Sequence, residues 1–145
     1  MTCDVKERAT LQLALVAVTL TATFGCGEAG PPHFPVQGKV YIDGKPATEG
    51  GVTFRNAQNQ MMQMVGAITA DGTYAMLHNR QEGVPAGEYV VTVLVTETTK
   101  TPDGKYTGLP KTISNQMYAD PAKTPLKVKV KEGNATDAYD LKVSG

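Results

Sequence analysis

Few side chains in this sequence are of a type that does chemistry, and their spacing scatters them. The two histidines are His33, in a Gly- and Pro-rich stretch, and His78, just after an alternating apolar segment. Acid–base or hydrolytic work by paired imidazoles needs both rings at one place, and this spacing argues against such a pair. Serine and threonine are plentiful, yet none sits in the Gly-x-Ser-x-Gly elbow that exposes a hydroxyl nucleophile on a tight turn. Met61, Met62 and Met64 cluster beside Gln58, Gln60 and Gln63. Thioethers are soft donors suited to Cu(I), which makes a copper-binding module the alternative reading of this segment. The commoner use of such methionines is to fill an irregular edge between strands. Asp43, Asp71 and Asp103 each precede glycine but lack the alternating oxygen ligands of a calcium loop, so they read as turns. This inventory points to no enzyme, no cofactor and no metal centre.

Two surface features remain. Lys127, Lys129 and Lys131 line one face of an alternating segment, with Lys123 nearby. Such a row could touch an acidic glycan or lipid headgroups, but it is also the routine protection of an edge strand. Residues 97–124 form a connection far longer than the usual 2–6 residues of a compact β domain. The connection carries Tyr106, Leu109, Met117 and Tyr118 among Thr, Lys and Pro. Tyr106 and Tyr118 are the candidate ligand face, and packing against the end of the domain is the competing use of the same side chains.

Charge and cysteine content narrow the partners. Lys and Arg total 14 against 14 Asp and Glu, so no net field draws the chain to nucleic acid. The cysteines are Cys3 and Cys26. Residues 1–25 read as a signal peptide: a short charged start with Lys6 and Arg8, an apolar run over 9–24, and the small-residue context Gly25-Cys26-Gly27. The run is shorter than the roughly 20 apolar residues of a spanning helix. Cleavage before Cys26 would leave one sulfur and no internal disulfide.

Thr23-Phe24-Gly25-Cys26 resembles the lipobox of bacterial lipoproteins, in which the cysteine is acylated and becomes the new N-terminus. It departs from that pattern at Thr23, where Leu is usual, and at Phe24, where a small residue is usual. The resemblance implies lipid attachment at Cys26 and an exported protein held at the cell envelope, periplasm-facing or on the outer membrane; Gly27 in place of Asp leans toward the latter. Each buried CH₂ of a lipid chain contributes about 0.8 kcal/mol, so two or more chains make the attachment lasting. Residues 26–35, rich in Gly and Pro, then read as a stiff tether.

Beyond residue 35 the pattern is period-two alternation punctuated by Gly, Pro and Asp-Gly, with no helical stripe. Residues 36–42 predict a strand with Val36, Val40 and Ile42 inward. Val52 and Phe54 mark a second strand, 65–70 a third that enters the turn Asp71-Gly72, and Tyr74 and Met76 face inward after it. Residues 88–96 are the clearest strand, with Tyr89, Val91, Val93 and Val95 on one face and enough apolar character on the other to place it centrally. Leu126, Val128 and Val130 alternate with lysines, and Tyr139, Leu141 and Val143 supply the inward side of the last strand. About seven strands without crossover helices predict an all-β fold, an antiparallel β-sandwich over 36–145, and a monomer.

Several short motifs follow one another along the chain: Val36-Gln37-Gly38-Lys39-Val40, Asp43-Gly44-Lys45-Pro46, Gly51-Val52-Thr53-Phe54, Ala70-Asp71-Gly72-Thr73-Tyr74 and Val84-Pro85-Ala86-Gly87-Glu88-Tyr89, with Tyr118-Ala119-Asp120-Pro121 further on. In order and spacing they resemble the carboxypeptidase regulatory-like, or transthyretin-like, domain, and above all small secreted lipoproteins of planctomycete bacteria. The resemblance covers residues 36–143 and implies a prealbumin-like, seven-stranded sandwich. Hydrolases of this kind end in Tyr-Arg-Gly-Ser, whereas this chain ends in Lys142-Val143-Ser144-Gly145. The expectation is a non-catalytic module that engages protein or glycan at the envelope.

Overall fold

The computed structural model describes residues 30–145. The expected signal peptide, most of the expected tether and the acylation site at Cys26 lie outside the described residues. No helix among the described residues is long and apolar enough to cross a membrane.

The described chain is all-β. Its strands are β1 (His33–Phe34), β2 (Gln37–Ile42), β3 (Lys45–Pro46), β4 (Gly50–Asn56), β5 (Gln63–Ile68), β6 (Thr73–Ala75), β7 (Leu77–His78), β8 (Gln81–Glu82), β9 (Val84–Pro85), β10 (Gly87–Glu97), β11 (Lys111–Thr112), β12 (Lys127–Val130) and β13 (Leu141–Val143). Two 3-10 turns, Gln116–Tyr118 and Thr136–Tyr139, are the only helical pieces among the described residues. The larger sheet runs β11-β10-β4-β5-β7-β8, with β12 also on β10; the smaller joins β13, β2 and β3, with β6 on β2; and β1 pairs with β9. Several strands are shorter than the alternation suggests because the backbone is interrupted. Asp43 and Gly44 (φ 48° and 81°) turn β2 into β3, and Asn79 and Arg80 (φ 50° and 66°) turn β7 into β8. Two successive residues at positive φ match the strand twist in two-residue hairpins.

β10 is central, as its two apolar faces foretell. β4 covers one edge over seven residue pairs, while β12 covers the start of the other edge and β11 its end. Because side chains alternate, Val91 lies opposite Phe54 and Val93 opposite Val52, and Phe54 lies in turn opposite Met64. These rows and the inward residues of the smaller sheet, Val40, Tyr74, Leu141 and Val143, belong to one apolar core. Burying each such side chain contributes about 1.5–3 kcal/mol.

The described fold departs from the sequence reading in five places. Thirteen strands stand among the described residues where about seven were expected, because turns break the longer alternating runs into short pieces. The final strand pairs in parallel with β2, Leu141 lying beside Val40 and Val143 beside Ile42, so the pairing is not uniformly antiparallel. Alternation reveals which face a residue takes but not the direction of its neighbour. Tyr139, read as part of that strand, ends the 3-10 turn before it, although it is buried. The third strand begins at Gln63, which places Met64 in the core and leaves Val65 60% exposed. The compact unit begins at Pro31, so the last residues assigned to the tether belong with it and form β1.

The long connection is partly ordered by pairing. It contains β11, the turn Gln116–Tyr118 and an isolated bridge between Lys100 and Tyr106. Two buried hydroxyls tie it to β10: Ser114 Oγ accepts from the Val95 amide at 3.0 Å, and Thr124 Oγ1 donates to the Val91 carbonyl at 2.8 Å.

Candidate functional site

On the outer side of the smaller sheet lies an open groove of about 480 Å³, within the size range of small-ligand sites. Alternation along β2 sends Gln37, Lys39 and Tyr41 away from the core residue Val40 and into this groove. Thr69 and Thr73, on either side of the β5–β6 turn, line it beside Asp137 and Asp140. Glycine at 38 is a packing requirement: a Cβ there would lie 2.5 Å from the Tyr139 carbonyl oxygen. The Asp140 carboxylate accepts from the Lys39 amide at 2.9 Å, which joins the end of the second 3-10 turn to β2.

The turn beside the groove is organised by Asp71. Its Oδ1 accepts from the hydroxyls of Thr69 and Thr73, the latter at 2.8 Å. These two hydroxyls hold the Asp71 pKa down at about 2, because they stabilise the charged carboxylate. Asp71 is therefore ionised at neutral pH and serves as a turn anchor, as its place before Gly72 suggests. Only Gly72 of this dipeptide takes a positive φ. Chemically the groove offers amide, hydroxyl, carboxylate and ammonium groups beside a phenol ring, an array that makes many hydrogen bonds of both senses.

The residues singled out from sequence are dispersed. Tyr106 is 68% exposed, and Lys100 Nζ sits 4.9 Å from its ring centroid. Tyr118 is half-buried against the core, which is the packing use of that residue. Neither lines the groove. Met64 is buried, Met62 packs against the core and Met61 is exposed, so the methionine segment does not present three thioethers to solvent. Lys127 and Lys129 lie on β12, an edge strand, with Lys131 just beyond its end, and Lys129 makes an exposed contact of 3.8 Å with Glu88. That position fits edge protection.

The expectation that the two histidines stand apart is overturned. His33 Nε2 lies 2.8 Å from His78 Nδ1 across 45 residues, with both side chains half-buried. The pairing of β1 with β9 brings His33 into place, and the β7–β8 hairpin presents His78. Nothing in the local sequence announces the contact, because β1 lies in a segment whose composition reads as a spacer.

The site and fold thus define an all-β module with an open polar groove and a separate imidazole pair. No protein-family model, no curated protein and no solved structure matches this chain.

Proposed function

We propose that this chain is an exported lipoprotein, acylated at Cys26 and held at the cell envelope, periplasm-facing or on the outer membrane. Its domain would be a prealbumin-like β-sandwich of the carboxypeptidase regulatory-like kind, acting as a non-catalytic module that binds an envelope glycan. The sharing of one core by residues of both sheets supports the sandwich, and the ordered motifs between residues 36 and 143 support the resemblance.

The groove carries the glycan reading. Sugars present alternating hydroxyl donors and acceptors around an apolar ring face. A site with hydroxyls at Thr69 and Thr73, an amide at Gln37 and carboxylates at Asp137 and Asp140 matches the former, and the Tyr41 ring matches the latter. A single lysine beside two carboxylates disfavours an anionic ligand.

The test is binding of soluble glycan fragments released from the native envelope to the full chain. Tyr41→Ala and Gln37→Ala should each weaken it, roughly ten-fold for a residue in a desolvated contact. Binding by either variant as tight as the parent's, or none by the parent chain, would defeat the assignment. Cys26→Ala should move the protein from the membrane fraction to the soluble one, and unchanged retention would defeat the anchor.

A further inference from the structure

We propose that His33 and His78 form a two-imidazole site for a divalent transition-metal ion, with Cu(II) preferred. The inference is independent of the groove and of the glycan reading.

The site is positioned by backbone on both sides. His33 and Phe34 pair with Pro85 and Val84, and a Cβ at Gly83 would lie 2.7 Å from the Phe34 carbonyl oxygen, so β1 is seated directly against main chain. His78 ends β7 just before Asn79 and Arg80, both at positive φ. A non-glycine residue at positive φ costs energy, and such conformations concentrate at functional sites. The tight hairpin aims the His78 ring at β1.

The ring geometry defines the chemistry. The facing nitrogens are 2.8 Å apart, the centroids 5.1 Å apart and the planes within 25° of each other. The rings therefore meet nearly head-on, with one proton between two nitrogen lone pairs. A metal ion replaces that proton when each ring tilts to aim its lone pair at a common point. With metal–nitrogen bonds of about 2.0 Å, two ligands at right angles are separated by roughly 2.8 Å, the cis edge of a tetragonal Cu(II) site. A tetrahedral ion needs a wider spread.

The proton balance is simple. Both rings are neutral when metal binds, and the shared proton moves to the outer nitrogen of the donor ring, so a tautomer shift suffices. Asn79 Nδ2 lies 3.5 Å from His78 Nε2, placing an amide where its oxygen can turn to accept the outer N–H, the usual support for a ligating imidazole. Among the described residues no group of three His, Cys, Asp or Glu could hold a metal. Among the described residues, His33 and His78 supply two positions, and water or an incoming ligand would complete the coordination. Bound metal would fasten the first residues of the compact unit to the β7–β8 hairpin.

The experiment is Cu(II) titration of the full chain carrying Cys3→Ala and Cys26→Ala, which removes competing thiols. Electron paramagnetic resonance should show one Cu(II) with two nitrogen ligands. His33→Gln and His78→Gln, which retain a hydrogen-bonding side chain, should each weaken binding by roughly ten-fold or more and leave a one-nitrogen signal. At a fixed Cu(II) concentration, the unfolding temperature of the parent should rise more than that of either variant. Two-nitrogen binding of unchanged affinity in either variant, or a one-nitrogen signal in the parent, would overturn the site.

Discussion

The Tyr74 hydroxyl donates a hydrogen bond of 2.5 Å to the backbone carbonyl of Tyr139, 65 residues further along the chain. The bond locks β6 to the 3-10 turn that precedes β13. The same carbonyl is what a Cβ at Gly38 would meet, so the smaller sheet closes around one main-chain oxygen. Both walls of the groove depend on that closure.

Tyr74→Phe keeps the ring in the core but orphans the carbonyl. Removing one partner of a buried hydrogen bond costs about 1–3 kcal/mol, and denaturant unfolding should show a loss in that range. Burial, followed by the charges of Asp140 and Tyr139, pushes the Tyr74 pKa well above its usual 10. Above pH 10 the unfolded chain loses this proton while the folded chain keeps it, so stability falls as pH rises. The fall should be shallower in Tyr74→Phe, and parallel alkaline curves would contradict this.

Arg80 takes φ 66° in the turn after His78, a conformation disfavoured by its Cβ. Arg80→Gly should therefore raise stability, by about 0.5–1 kcal/mol after the greater freedom of glycine in the unfolded chain is deducted. Thermal unfolding reads the sign.

Asp71 has the opposite pH signature. Its pKa is held at about 2, below the usual carboxylate value of 3.8, by the Thr69 and Thr73 hydroxyls. Its contribution is present above the unfolded value and is lost as pH falls through about 2. Asp71→Asn should flatten that part of the acid unfolding curve, whereas an unchanged curve would show that the turn does not depend on the carboxylate.

Ser114→Ala removes the buried oxygen that receives the Val95 amide. The orphaned N–H should cost about 1–3 kcal/mol. Hydrogen exchange should speed first at Val95 and at the β11 pairing. If the connection were held by its apolar residues alone, both would keep their protection.

The core was legible because burial writes itself into alternation. Tyr89, Val91, Val93 and Val95 are buried at every second position of β10, and Val40, Val52, Phe54, Tyr74, Met76 and Val130 are buried as their spacing requires. The groove was half legible. Gln37, Lys39 and Tyr41 follow from the β2 period, but their meeting with Asp137 and Asp140 depends on a turn about 100 residues downstream. Tyr106 and Tyr118 drew attention because aromatic residues in a long loop are chemically conspicuous, yet local pairing sends one to a cation and the other to the core.

The all-β class, the inward faces of β2, β4 and β10 and the Asp-Gly turns follow from the sequence alone, since all of these arise from contacts within a few residues. The three-dimensional packing is what sets β13 parallel to β2, brings His33 to His78, and lets Ser114 and Thr124 secure the long connection. Those contacts join segments whose local patterns are independent of one another. Which strand edge lies beside which is settled by closing the whole core, a choice that the period of a single strand does not encode.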